Sequence, residues 1–325
     1  MEKLMEVKNL SVSYFTYAGE VQSVRGISFD VKKGKTTAIV GESGCGKSVT
    51  AKSLMGLIEK PGKISTESHI LYRGKEITGY TEKEWNAFRG KECSMVFQDA
   101  LISLNPTMKV GKQIEENLEN HEPGLSKKEI STRSLEMLKL TGIPDPEGCM
   151  NKYPHELSGG MRQRVMIACA MVTYPKLLIA DEPISALDVS IQAQIMNLLM
   201  KLQRERNLTM LFIAHDLAMV KHISDNIGVM YLGKLVEISP AAELYENPYH
   251  PYTQALLESI PIADPDIAKS RGRHFLTGDV PSPIDPPKGC RFCGRCSKCM
   301  DICNEVRPEL NEVSKGHQVA CHLYD

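Results

Sequence analysis

One eight-residue stretch limits the fold of this chain more than any other: Gly41-Glu42-Ser43-Gly44-Cys45-Gly46-Lys47-Ser48. It fits G-x-x-x-x-G-K-[ST] without a gap, follows the apolar run Thr37-Ala38-Ile39-Val40 and precedes a helical pattern from Val49 to Ile58. Strand, glycine loop and helix in that order form a cradle for phosphate. Glycine admits positive φ and close backbone approach. The N–H groups from Ser43 through Gly44, Cys45, Gly46, Lys47, Ser48 and Val49 can then converge on an anion at the helix N-terminus. Lys47 is expected to reach the β- and γ-phosphates of a nucleotide, and Ser48 to ligate Mg²⁺. At Cys45 the main chain carries the contact, and its thiol makes the site a candidate for alkylation.

Two more apolar runs end in polar motifs: Leu177-Leu178-Ile179-Ala180 before Asp181-Glu182-Pro183, and Leu211-Phe212-Ile213-Ala214 before His215. Runs of this length suit parallel strands buried on both faces, and ligands bind beyond the carboxyl ends of such strands. Asp181 is placed to complete a Mg²⁺ shell and Glu182 to polarise the attacking water. Ile191, Ile195, Leu198, Leu199 and Leu202 recur at helical spacing. The stretch from about residue 101 to 161 reads as a helical subdomain punctuated at Glu122-Pro123-Gly124 and Gly142-Ile143-Pro144. From Pro261 to Gly289 prolines accumulate and predict an extended connector. The expected fold is thus α/β over residues 1–260, followed by a connector with a small cysteine-rich domain over 261–325.

Several classes are disfavoured. A formal net charge of -1 argues against nucleic acid, whose binding by phosphate contacts calls for a basic surplus. No run of 18 or more apolar residues occurs, so no membrane span is expected, and the N-terminus lacks the apolar stretch of a leader. A cytosolic setting follows as the expectation, and disulfides are disfavoured there. Six of the ten cysteines fall between Cys290 and Cys321 and therefore read first as ligands. Spacing alone picks Cys293, Cys296, Cys299 and Cys303, the C-x2-C-x2-C-x3-C run of bacterial ferredoxins, with Asn304 where proline is usual. Four thiolates also suit Zn²⁺.

The motif set resembles the ABC transporter ATPases. Leu157-Ser158-Gly159-Gly160 resembles their signature, and Met161-Arg162-Gln163-Arg164 after it resembles the peptide and nickel importer branch. Gln98 in Met95-Val96-Phe97-Gln98-Asp99 resembles the Q-loop, Ser185-Ala186-Leu187-Asp188 the D-loop and His215 the switch histidine. Tyr14 sits where the family places an aromatic on adenine, with Phe15 and Tyr17 close by. Ser103-Leu104-Asn105-Pro106, Tyr153-Pro154-His155-Glu156 and His250-Pro251-Tyr252-Thr253 also look like that branch, in its D-type subunit.

The resemblance implies a P-loop NTPase (RecA-like) core that hydrolyses ATP with Mg²⁺. Lys47, Gln98, Glu182 and His215 would act at the γ-phosphate; Ser48, Gln98 and Asp181 would complete the Mg²⁺ environment. Ser158 and the backbone at Gly160 would serve the nucleotide of a facing ATPase, either a second copy or a paralogous F-type subunit. Two transmembrane permease subunits and an external substrate-binding protein are the other implied partners, at the cytoplasmic face of a bacterial inner membrane. Oligopeptides or dipeptides are the implied cargo; nickel or a metal chelate is the alternative, and a soluble non-transport ABC ATPase the rival class. In the tail the resemblance picks Cys290, Cys296, Cys303 and Cys321 around a [4Fe–4S] cluster, with Cys293 and Cys299 extra.

Overall fold

Apolar runs with no charge cannot face water on either side, and here they form strands buried on both faces. The computed structural model describes residues 2–17, 19–185, 187–260, 278–284 and 286–325. The connector expected over 261–289 lies largely outside the described residues. The strands are β1 (Lys3–Thr16), β2 (Gly19–Lys32), β3 (Thr36–Val40), β4 (Gly62–Ile64), β5 (His69–Tyr72), β6 (Lys75–Glu76), β7 (Cys93–Val96), β8 (Leu177–Asp181), β9 (Thr209–Ala214), β10 (Asn226–Tyr231), β11 (Lys234–Pro240), β12 (Asn311–Ser314) and β13 (His317–Val319). The helices used below are α1 (Lys47–Leu54), α2 (Glu82–Phe88), α3 (Ala100–Ser103), α4 (Val110–His121), α5 (Lys127–Leu140), α6 (Pro146–Met150), α7 (Gly159–Met171) and α8 (Val189–Arg206). The three apolar runs became β3, β8 and β9, and every residue of each is buried.

The chain divides into two units: Met1–Lys32, Thr36–Thr78 and Phe212–Asp325 form the first, Lys33–Lys35 and Gly79–Leu211 the second. In the first unit, β2, β1, β5 and β6 make an antiparallel sheet, with β4 also on β1. A second run is ordered β12-β13-β11-β10-β3. Here β10 lies parallel to β3, from Asn226 opposite Thr37 to Val229 opposite Val40. The cysteine-rich tail joins this run through β13, whose Val319 pairs with Glu237 of β11. Glu237 is fully buried and is satisfied three times. It accepts from the Tyr249 and His250 N–H groups at 2.8 and 3.1 Å and meets His317 Nε2 at 2.7 Å. A carboxylate is tolerable in a core only with such partners.

In the second unit β7 and β8 run parallel, from Cys93 opposite Leu177 to Val96 opposite Ala180. Helices α4, α5 and α6 fall inside the expected helical stretch, with both predicted breaks between them. Ser126 and Glu129 close a capping box on α5, and Thr81 and Glu84 one on α2. The expected stripe on α8 is buried at Ile195, Leu198, Leu199 and Leu202, while Ile191 is half-buried. Arg164 of α7 donates to Thr141 O and Gln194 Oε1 at 2.7 and 2.8 Å, and Arg162 Nε to Pro154 O at 3.0 Å. The Met-Arg-Gln-Arg run thus braces α7 against its neighbours.

One boundary differs from expectation. The helix after the phosphate loop ends at Leu54 rather than near Ile58. Gly56 takes φ +62°, its N–H bonds Ser53 O at 3.1 Å and the Leu57 N–H bonds Lys52 O at 2.9 Å. That pattern is a Schellman stop, which only a left-handed residue can supply.

Candidate active site

The loop Gly41–Ser48 is seated on backbone with no room for side chains at two of its glycines. A β-carbon on Gly41 would fall 2.1 Å from Met230 O, and one on Gly46 2.3 Å from Ser23 O. Gly46 also takes φ +107° as the cap of α1, a region closed to most L-residues. The turn between β10 and β11 supports the loop from below, with Gly233 N–H donating to Cys45 O at 2.8 Å. Ser43 and Gly44 are exposed; Gly41, Cys45, Gly46 and Lys47 are buried. Lys47 Nζ donates to Gly41 O at 2.8 Å and Glu42 O at 3.0 Å, across the mouth of the cradle. Ser48 and Val49 follow in the first turn of α1, both half-buried.

Tyr14 lies in β1 opposite Val21 of β2 and Gly62 of β4. Its ring is half-buried, and a β-carbon on Gly62 would sit 2.7 Å from its Cε1. Burial, with Glu59 nearby, holds its phenol above the usual range. Phe15 is half exposed and Tyr17 fully exposed. His215 follows β9 and is exposed, and Asp216 caps the next turn by accepting from Ala218 N–H at 2.7 Å.

In the second unit, Asp181 ends β8 and is buried. Glu182 follows in the left-handed region at φ 44°, strained for a side chain of its size. Gln98 Nε2 donates to Glu182 Oε2 at 3.0 Å. The Q-loop and the carboxylate pair, 84 residues apart, therefore meet. Ser158 caps α7, its Oγ accepting from Met161 N–H at 3.4 Å, and it is exposed with Gly159. Gly160 faces Ile191, whose Cγ2 a β-carbon would approach to 2.9 Å. Asp188 caps α8 through Ile191 N–H at 3.0 Å.

The tail is built of successive tight turns. The N–H groups of Cys293, Cys296 and Cys299 each bond the carbonyl of the cysteine three residues before, at 3.1, 3.1 and 3.3 Å. Cys293 and Cys299 are joined in a disulfide, with Cα atoms 5.3 Å apart. This corrects the spacing-based ligand set: two of its four sulfurs are bonded to each other and are not thiolates. It also corrects the expectation that the tail carries no disulfide. Cys290, Cys296, Cys303 and Cys321 remain free, and all four line one small cavity. Burial raises the Cys290 and Cys296 thiols and pushes Cys321 to about 11, and the sulfurs raise one another further. Among the described residues, no group of three or more His, Cys, Asp or Glu side chains stands ready to hold a metal ion.

Two contacts had no sequence signal. Arg295, between Cys293 and Cys296, grips the Glu42 carboxylate of the phosphate loop, and Tyr252 Oη accepts from Glu42 N–H. A pair 253 residues apart leaves no trace in local spacing.

The structure argues against the expectation that Cys45 is open to alkylation. Its side chain is buried, and burial pushes the thiol up to about 11. A raised thiol pKa keeps the group protonated below that value, so the reactive thiolate is scarce near neutral pH. N-ethylmaleimide at pH about 7.5, well below that pKa, should label Cys45 only after urea unfolding, as read by peptide mass mapping. Labelling of Cys45 in the folded chain as fast as in urea contradicts this.

Residues 24–185 match the family model described as ABC transporter, and residues 236–303 match that of the oligopeptide/dipeptide transporter C-terminal region. The dipeptide transport ATP-binding protein DppD of Bacillus subtilis is 46% identical, over 100% of this chain and 96% of that protein. The oligopeptide transport ATP-binding protein OppD of Bacillus subtilis is 49% identical, over 99% and 89%, and OppF of Escherichia coli 45%, over 99% and 96%. Among solved structures, the dimeric bacterial ABC transporter cassette MJ0796 matches with TM-score 0.66 and 27% identity, over 73% of this chain and 98% of that one. The cbiO1 protein of Clostridium perfringens matches with TM-score 0.63 and 30% identity, over 76% and 92%. The chain has the fold of these ATPase cassettes, and it belongs to the ABC transporter family, among the ATP-binding proteins of oligopeptide and dipeptide transporters.

Proposed function

We propose that this chain binds and hydrolyses ATP to energise import of oligopeptides or dipeptides. The observation that carries the reading is the phosphate loop: main-chain N–H groups at the start of α1, two glycines that admit no side chain, and Lys47 across the mouth. Phosphoryl transfer needs positioning and charge stabilisation more than covalent chemistry, and this loop supplies both. A solved relative is described as an ATP-binding cassette in a post-hydrolysis state with ADP and Pi, which supports hydrolysis here. The relatives named for dipeptide and oligopeptide transport support the cargo.

The roles follow the family pattern. By that pattern Tyr14 would stack on adenine, Lys47 would neutralise phosphate charge, and Ser48, Gln98 and Asp181 would be the residues to serve Mg²⁺ and water, the ion offsetting charge on the phosphates. Glu182 is the general base, aimed by the Gln98 amide 3.0 Å away. His215 contacts the γ-phosphate, and Ser158 serves the nucleotide of a facing ATPase, a second copy or an F-type paralogue. Phe97, Leu101 and Ile102 are exposed beside the Q-loop. This apolar edge suits docking on transmembrane permease subunits, which would receive cargo from an external binding protein. No helix among the described residues is long and apolar enough to cross a membrane; the relatives named for peptide transport support attachment at the cytoplasmic face through those subunits. Residues 1–260 would be the ATPase domain and 261–325 the connector and tail.

Glu182→Gln should slow hydrolysis by roughly 10²–10⁴-fold while ATP binding persists. Near-normal turnover in that variant contradicts the base assignment.

We further propose that Cys290, Cys296, Cys303 and Cys321 hold a [4Fe–4S] cluster. Support comes from the resemblance and from the four free thiols on one cavity, which are not gathered as a ready ligand group; the two surplus cysteines are consumed by their own disulfide. Small metal-bound domains gain folding stability from the ligand itself, and a structural staple is the role that fits so short a tail. Anaerobically purified protein should carry iron and acid-labile sulfide in equal amounts and lose both on Cys290→Ser. A colourless protein holding stoichiometric zinc contradicts the cluster.

A further inference from the structure

The phosphate loop is held from the far end of the chain. Arg295 Nη1 and Nη2 donate to Glu42 Oε2 and Oε1 at 2.7 and 2.9 Å, fork to fork. The Arg295 side chain is only 6% exposed and that of Glu42 28%, so the pair is shielded more than a surface bridge. The Glu42 N–H donates to Tyr252 Oη at 2.9 Å, and the Glu42 carbonyl accepts from Lys47 Nζ at 3.0 Å. Movement of Glu42 therefore moves an acceptor of the lysine. Behind the bridge the support is aromatic: the Tyr231, Tyr252 and Phe292 rings pack with centroids 4.8 to 5.3 Å apart, and Arg295 also reaches Tyr231 Oη at 3.4 Å. Arg295 closes the turn Cys293–Arg295, between the disulfide cysteine and Cys296.

A carboxylate in a loop that receives a triphosphate is a liability. Unpaired, it repels the ligand; paired with a planar guanidinium, it is neutralised and fixed in orientation. We propose that Arg295 is a positioning residue for ATP binding: by clamping Glu42 it fixes the phosphate loop and cancels its negative charge, which makes the cysteine-rich tail a working part of the nucleotide site. The proposal rests on the nucleotide-binding role of the loop. It assigns to the tail a task beyond its own stability, and it explains why Tyr252 and Arg295, both remote in sequence, converge on one loop residue.

The test is ATP affinity of the full-length chain with Mg²⁺, together with KM and kcat of the assembled transporter. Arg295→Gln should weaken ATP binding and raise KM about tenfold, the scale of one charged hydrogen-bonded pair, with kcat changed less than about twofold. Arg295→Lys should fall between, since it keeps charge but loses the fork. Adding Glu42→Gln to Arg295→Gln should recover part of the lost affinity, because the bare carboxylate is then gone. A merely structural role would instead lower the melting temperature and the active fraction, leave KM unmoved and give no recovery in the double variant; that outcome overturns the proposal. Wild-type chain that binds no ATP would sink the nucleotide reading itself, a result separable from any outcome in the variants.

Discussion

The contact on which the rest depends is between backbone and backbone: the phosphate loop lies directly on the carbonyls of Met230 and Ser23, with no space for a β-carbon at Gly41 or Gly46. Close seating of this kind fixes where the loop N–H groups point, and a fixed dipole array is what makes an anion site strong. β3 delivers the loop, α1 receives it, and the β10–β11 turn ties it through Gly233 to Cys45. The carboxylate half of the chemistry has its own anchorage. Asp181 is carried at the end of a wholly buried strand, and Glu182 is held in a left-handed conformation facing the Gln98 amide. Strain of that sort persists only where surrounding structure over-determines it, and it falls on the residue assigned as base.

The tail is tied to the core at several points. Its strand β13 extends the sheet at β11, the buried Glu237–His317 pair locks that edge, and Arg295 reaches the phosphate loop. Its cysteines divide into one disulfide and four thiols on a shared cavity. A segment this short cannot bury enough apolar surface to hold itself, so cross-links and docking take the place of a core.

Much of this was legible in the sequence, for identifiable reasons. Uncharged apolar runs have one stable fate inside an α/β protein, so β3, β8 and β9 could be placed. The Gly-x4-Gly-Lys-Ser loop and the Gly and Pro breaks of the helical stretch are local signals with local causes. The end of α1 was also written there, in Gly56, and was missed because the apolar pattern runs on past it to Ile58. The Cys293–Cys299 disulfide was missed because a cytosolic setting was expected to disfavour disulfides and the clustered cysteines were read as ligands. The burial of Cys45 and the Arg295–Glu42 clamp could not have been read at all. Both arise from residues brought together by the sheet across long stretches of chain.

The central claim is that the loop recognises phosphate, and that Lys47 is the charge it uses. Titration calorimetry with Mg²⁺, comparing ATP with adenosine on the wild-type chain and on Lys47→Ala, tests it directly. ATP should bind the wild type at least about a hundredfold more tightly than adenosine, and most of this advantage should disappear in Lys47→Ala. Equal affinities for ATP and adenosine in the wild type, or an unchanged ATP affinity in the variant, would contradict it.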